Sequence, residues 1–307
     1  MTRVAAIDCG TNSLRLLVAE AEADRLRDVV RRMEVVRLGQ GVDQTGRLAP
    51  EAMARTFAVL RHYATEGARL GAERVRLVAT SATRDAANRE EFVAGVQDIL
   101  GVPPEVVTGA EEAALSFAGA TREFAGLPTA APSPYLVVDV GGGSTEFILG
   151  GATVEASVSV DVGCVRLTER HFAADPPTPV QVQAATKDVD AALDRVREAV
   201  RVDLAASLVG LAGTVTTVAG IALRLPAYDP DRTHHARLAA RDVARIAADL
   251  LRARAEERAA LPVMHPGRVD VIAAGALILD RVVAAFGFDE VVVSEHDILD
   301  GIAWSLL

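Results

Sequence analysis

Two short segments of this chain carry one pattern. Asp8–Ser13 (D-C-G-T-N-S) and Asp139–Ser144 (D-V-G-G-G-S) both read D-x-G-x-x-S. Each closes an apolar strand and opens another, S-L-R-L-L-V-A in the first case and S-T-E-F-I-L-G in the second. A single D-x-G turn is common and says little. Its recurrence in the same strand–turn–strand setting reads as two copies of one supersecondary unit. At 307 residues the chain is long enough for two domains of roughly 100–200 residues each.

The pattern along the chain agrees. Strands are expected at Val4–Asp8, Leu14–Ala19 and about Asp28–Leu38. Pro50 then opens a helix that closes near Gly71, with proline at the first turn and glycine at the end. A strand at Arg74–Thr80, a helix at Asp85–Leu100, a strand at Glu105–Val107 and a helix at Glu111–Phe124 complete the first half. Gly126–Pro134 (G-L-P-T-A-A-P-S-P) is the expected linker. The second half restarts with strands at Tyr135–Asp139, Thr145–Leu149 and Val154–Val162. A long helix over Thr178–Val200, with Thr178 as its cap, leads to a strand at Ser207–Leu211 and a helix at Val215–Leu225. Further helices are expected at Ala240–Arg252, Arg268–Phe286 and Asp297–Leu307, the last after a strand at Glu290–Ser294. The expected domains are 1–125 and 126–296, with the terminal helix 297–307 added to the first.

Both hairpins suit phosphate. Glycines let backbone N–H groups converge on an anion, and hydroxyls add donors. In the first loop these are Gly10, Thr11, Asn12 and Ser13, and in the second Gly141, Gly142, Gly143, Ser144 and Thr145. The leading Asp8 and Asp139, at strand ends, can hold hydrated magnesium or order water. Two such loops in duplicated domains can clamp a phosphate across a cleft. A third glycine turn, Gly210–Thr214 (G-L-A-G-T), offers Gly213 and Thr214, though a plain strand-to-helix turn explains it equally well. Arg84 lies in a strand-to-helix connection, and Arg166 and Arg170 lie near the loops of the second half; Arg84 and Arg166 are the expected phosphate ligands. Glu111 and Glu112 begin a helix, where acids compensate the dipole. That accounts for Glu111; Glu112 falls on another face and is a candidate general base.

Composition narrows the classes. Acidic residues outnumber basic ones 42 to 32, and the formal net charge of −10 disfavours nucleic-acid and membrane-surface binding. Lys187 is the only lysine, it follows no glycine-rich loop, and so there is no G-K-[ST] phosphate loop. Anion recognition must use arginine forks. Aromatics are 4%, too few for base-stacking platforms. Cys9 and Cys164 have no metal-ligand spacing, and neither do His234, His235, His265 and His296. No secretory signal or spanning apolar run is evident, and a reduced cytoplasmic protein is expected.

In order along the chain, A-I-D-C-G-T-N-S, T-S-A-T-R-D-A-A-N, G-A-E-E-A, V-V-D-V-G-G-G-S-T-E, G-C-V-R-L-T-E, G-L-A-G-T and S-E-H-D-I-L-D-G-I resemble the exopolyphosphatase/guanosine pentaphosphate phosphohydrolase (Ppx/GppA) family, of the short two-domain type, within the actin-like ATPase superfamily. The resemblance implies an α/β fold of two ribonuclease-H-like domains flanking a cleft, with the last helix packed on the first domain. It implies Glu112 as general base, Glu146 as a second residue that takes part in catalysis, and Asp8, Asp139 and Glu146 around magnesium. The implied reaction is hydrolysis of terminal phosphoanhydride bonds of inorganic polyphosphate. Guanosine pentaphosphate is the alternative substrate, and a low-turnover protein that binds polyphosphate or (p)ppGpp is the alternative of another class. A kinase or ATPase of the superfamily fits less well, since it has less need of a water-activating base. The sequence leaves the oligomeric state open; members of the family are often dimers, so a homodimer is what the resemblance implies. One departure stands out: Ala114 follows E-E-A where the family usually has a basic or polar residue, which removes a phosphate contact.

Overall fold

The computed structural model describes residues 2–22, 25–122, 124 and 131–307. Residues 126–130 of the expected linker lie outside the described residues. The chain divides into two compact units, Met1–Glu123 with His296–Leu307, and Phe124–Glu295. Each is α/β and built on one sheet.

In the first unit, β1 (Arg3–Cys9), β2 (Ser13–Glu22) and β3 (Arg25–Val35) form an antiparallel meander. β4 (Arg74–Ala79) and β5 (Glu105–Val106) extend it in parallel on the other side of β1, giving the order β3-β2-β1-β4-β5. β1 is buried on both faces, which explains a continuous apolar run instead of alternation. Ala5, Ile7 and Cys9 join a core under the helices Pro50–Arg69 and Arg89–Leu100. There Phe57 and Phe92 stack at 5.6 Å. A Cβ on Gly95 would come within 2.4 Å of the Phe57 ring, so glycine is needed at that contact. Val4 and Ala6 face the other core, which the terminal helix Ile298–Ser305 closes. That helix crosses the helix Gly109–Thr121 at two glycines. Added Cβ atoms would lie 1.9 Å from the Asp297 carbonyl oxygen at Gly119 and 2.1 Å from that of Leu115 at Gly301.

The second unit repeats the plan. β6 (Tyr135–Val140), β7 (Thr145–Gly150) and β8 (Val154–Val160) make the meander. β9 (Ser207–Leu211) and, beyond β10 (Arg237–Ala239), β11 (Glu290–Val293) add the parallel strands. Apart from β10 on the outer edge, the order β8-β7-β6-β9-β11 is the first sheet's order again. The three-strand meander followed by parallel additions is the ribonuclease-H-like arrangement. Helix Pro179–Ala199 starts at a capping box in which Thr178 and Gln181 satisfy each other's backbone N–H groups. Helix Ile272–Phe286 lies at the centre of this unit's core.

Several local readings differ from the expectation; the helix expected over Asp85–Leu100, for one, is a short turn of helix at Ser81–Arg84 and a helix at Arg89–Leu100. Cys164–His171, to which the sequence reading gives no element, is a helix. The helix expected from Val215 starts at Ala212, and the one expected from Arg268 starts at Ile272. β10 has three residues with only Leu238 buried, too short a pattern to read from sequence.

Candidate active site

In the first unit the hairpin between β1 and β2 closes by a Gly10 N–H bond to the Ser13 carbonyl at 3.0 Å. Its own carbonyls are tied down: Asn12 accepts from Val36 and Arg37 N–H, and Thr11 from Gly39 N–H. The buried Thr11 hydroxyl meets that of Ser81 at 2.9 Å. Asp8 is 4% exposed and stands directly opposite Arg15 in the β1–β2 register. The Arg15 guanidinium bonds Asp8 Oδ2 through Nε at 2.9 Å and Nη2 at 2.7 Å, and it also pairs with Asp297. Asp8 Oδ1 is buried and has no hydrogen-bond partner among the described residues. Burial pushes the Asp8 carboxyl above its usual range, and Arg15 opposes the shift only in part.

Thr108 caps the helix Gly109–Thr121, accepting from Glu111 N–H while Glu111 accepts from Thr108 N–H at 2.8 Å. Glu111 is thus an exposed capping residue, its carboxyl held low by those bonds to Thr108. Glu112 is 8% exposed and bonded by Arg84 Nη1 at 2.9 Å. Arg84 Nη1 also bonds the Val107 carbonyl at 3.1 Å, so backbone fixes the guanidinium that orients Glu112. Ala114 is exposed on the same helix.

The second unit's hairpin closes in the same way, Gly141 N–H to the Ser144 carbonyl at 3.1 Å. The start of helix Cys164–His171 takes up the loop's carbonyls. Cys164 N–H bonds Gly141, Val165 and Arg166 N–H bond Gly142, and Arg166 Nε bonds Gly143 at 2.7 Å. With the carbonyls engaged, the N–H groups of Gly142 and Gly143 make no hydrogen bond among the described residues. This is the backbone polarity that an anion needs. Gly163 permits the contact, because a Cβ there would lie 2.5 Å from the Gly142 backbone. Asp139 and Glu146 stand opposite each other in register, 8% and 1% exposed. Two acids so placed repel unless a positive partner joins them. Ser159, Glu146's neighbour on β8, donates to Glu146 Oε1 at 2.7 Å. Ser144 is buried. The Thr145 hydroxyl is turned inward, onto the Val162 carbonyl at 2.6 Å.

Helix Ala212–Ala222 opens with Ala212 at a φ of 67°. A non-glycine residue in that region is a strained feature that surrounding structure must hold. Arg268 lies against Gly213, bonding its carbonyl at 3.1 Å and the Thr217 hydroxyl at 3.0 Å. Thr214 packs against Gly275 and bonds Cys164. Burial pushes the Cys164 thiol up to about 11, and Cys9 higher still. Neither is a thiolate nucleophile at neutral pH. Sequence reasoning missed Arg15, Ser159 and Arg268. The first two stand out only once the strand register opposite Asp8 and Glu146 is known, and the sequence does not give it.

Residues 17–307 match the Ppx/GppA phosphatase family. The chain belongs to this family. Exopolyphosphatase 2 of Mycobacterium tuberculosis is 49% identical over 319 residues, covering 100% of this chain and 99% of that protein. The crystal structure of an exopolyphosphatase-like protein superposes with a TM-score of 0.94 at 42% identity, over 99% and 97% of the two chains. The PPX-GPPA enzyme of Aquifex aeolicus gives a TM-score of 0.82 at 32% identity over 99% of each chain.

Within each unit, then, the family's motifs gather as follows. The first brings together Asp8, Gly10–Ser13, Arg15 and Asp297, and separately Arg84 and Glu112. The second brings Asp139 and Glu146 beside Gly141–Ser144, with Arg166 bound to the loop. Among the described residues no group of three or more His, Cys, Asp or Glu could hold a metal ion. No helix among them is long and apolar enough to cross a membrane.

Proposed function

We propose that this chain hydrolyses the terminal phosphoanhydride bond of inorganic polyphosphate, releasing orthophosphate. The full-length match to a relative named exopolyphosphatase 2 carries the reading. In this mechanism Glu112, oriented by Arg84, takes a proton from the attacking water. The N–H groups of Gly142 and Gly143, with Arg166 fixed beside them, bind phosphate oxygens where charge is densest. The Gly10–Ser13 hairpin, with Arg15, Arg84, Gly213 and Thr214, offers further donors to a polyanion.

The donor set at Asp139 and Glu146 fits magnesium. Both ligand groups are carboxylates, and the ion commonly takes one or two carboxylates and completes its shell with water and phosphate. When bound there, the ion would supply positive charge to phosphate oxygens. Asp139 and Glu146 would hold it. Asp8, gripped by Arg15, would serve instead to hold that guanidinium in place.

A phosphate-release assay on long polyphosphate, short polyphosphate and guanosine pentaphosphate, each with and without magnesium, tests the reading. Magnesium-dependent release from polyphosphate is the expected result. Release from guanosine pentaphosphate alone transfers the assignment to that substrate. No release from any of them, with binding retained, makes the chain a binding protein.

A further inference from the structure

We infer that Ser159 positions Glu146 for cation binding, an inference that rests on the magnesium reading above. Asp139, Glu146 and Ser159 occupy one row across β6, β7 and β8, each the register partner of the next. The serine hydroxyl donates to Glu146 Oε1 at 2.7 Å. Glu146 is 1% exposed, so little solvent is at hand to orient its carboxylate. A glutamate has three side-chain torsions, and a ligand oxygen free to swing binds a small cation weakly. Hydrogen bonds from a neighbouring shell are what fix such oxygens, and losing one typically costs about 10–100-fold in metal affinity.

The first unit supplies the internal comparison. Its equivalent row reads Asp8, Arg15 and Met33 on β1, β2 and β3. There the middle residue is a cation that carries its own donors and pairs with Asp8. The third position needs no hydroxyl and has methionine. In the second unit the middle residue is a carboxylate, which can only accept, and the third position has a donor. The serine thus accompanies the carboxylate, not the fold.

The test is manganese binding, read from the electron paramagnetic resonance of the free ion, on the full chain without substrate. Ser159→Ala should weaken binding by about 10–100-fold. Ser159→Thr, which keeps the hydroxyl on a strand that favours β-branched residues, should bind like wild type. Ser159→Cys, nearly the same shape with a weak donor, should resemble alanine. Wild-type affinity in Ser159→Ala, with binding lost in Glu146→Gln, overturns the inference and leaves the cation site standing. If Glu146→Gln binds as wild type, the cation reading fails and the inference fails with it. If Ser159→Ala does not fold, equal affinities of the threonine and cysteine variants overturn it.

Discussion

Arg15 stands opposite Asp8 at the strand position where Glu146 stands opposite Asp139. The two hairpins share their closing hydrogen bond and their place in the sheet, and opposite the leading aspartate they carry opposite charges. In the first unit the pair is an ion pair, extended by Asp297 to two carboxylates on one guanidinium. In the second it is an acid pair, to which the function proposed above assigns a cation. The duplication kept its scaffold and divided the chemistry.

Arg15→Met should therefore be costly in a way Glu146→Gln is not. Asp8 and Asp297 are 4% and 3% exposed, and without Arg15 both carboxylates lose their shared partner. Breaking a buried pair costs about 3–5 kcal/mol. Asp8 already has a raised carboxyl pKa, because burial outweighs Arg15. A raised carboxyl means that folding favours the protonated form, so its penalty grows as pH rises through the folded value and lessens as pH falls. The variant should recover stability relative to wild type on mild acidification in urea titrations. A constant difference between the two across pH would count against the triad.

Asp300 has the opposite sign. Although burial works against its charged form, the Arg31 guanidinium, bonded at 2.5 Å, and His296 hold its carboxyl below the usual range. Its stability is present above the unfolded value, near 3.9, and is lost as pH falls through the folded one. Arg31→Met should bring the folded value up toward or past the unfolded one, so this acid loss shrinks and the variant's deficit against wild type narrows as pH falls below about 4. The cost at neutral pH should be below the roughly 3–5 kcal/mol of a fully buried pair, because the Arg31 side chain is 32% exposed and water screens the charge. Thermal melts from pH 3 to 7 would show it; a deficit that stays constant down to pH 3 would refute it.

The terminal helix depends on glycine. Alanine is normally the better helix former by about 1 kcal/mol. At Gly301 its Cβ would sit 2.1 Å from the Leu115 carbonyl oxygen, so Gly301→Ala must push the two helices apart. A net loss of about 1–3 kcal/mol is expected. An unchanged or raised melting temperature would mean that the crossing is looser than this.

Much of this was legible in the chain. D-x-G-x-x-S, twice, announced two related sheets, and apolar runs such as Leu136–Val138 announced buried strands. The distinction between Glu111 and Glu112 was legible in dipole compensation and helix face, and the structure adds a capping box from Thr108 to Glu111. What sequence hid was register. Nothing local says that Arg15 faces Asp8, that Ser159 faces Glu146, or that Asp297 travels almost the chain's length to reach Arg15. Helix Cys164–His171 was hidden for another reason: its first turn is fixed by hydrogen bonds to the Gly141–Gly143 loop, a tertiary contact, and not by a capping side chain of its own.

The two glutamates at the start of helix Gly109–Thr121 give the sharpest test of the proposed chemistry. Glu112→Gln keeps the size and an oxygen that can still accept from Arg84, but the amide cannot take a proton from water at neutral pH. Loss of a general base costs about 10²–10⁴-fold in rate. Substrate affinity should hold, because the phosphate donors proposed above lie on other residues. Glu111→Gln is the control. Glutamine also serves in a capping box, so the helix start survives and turnover per folded molecule should stay near wild type. Steady-state phosphate release, with polyphosphate binding measured separately, distinguishes the two. If Glu112→Gln turns over normally while Glu111→Gln does not, the base has been assigned to the wrong side chain. If Glu112→Gln loses binding and rate together, the Arg84–Glu112 pair holds the substrate site in shape and the proton acceptor lies elsewhere.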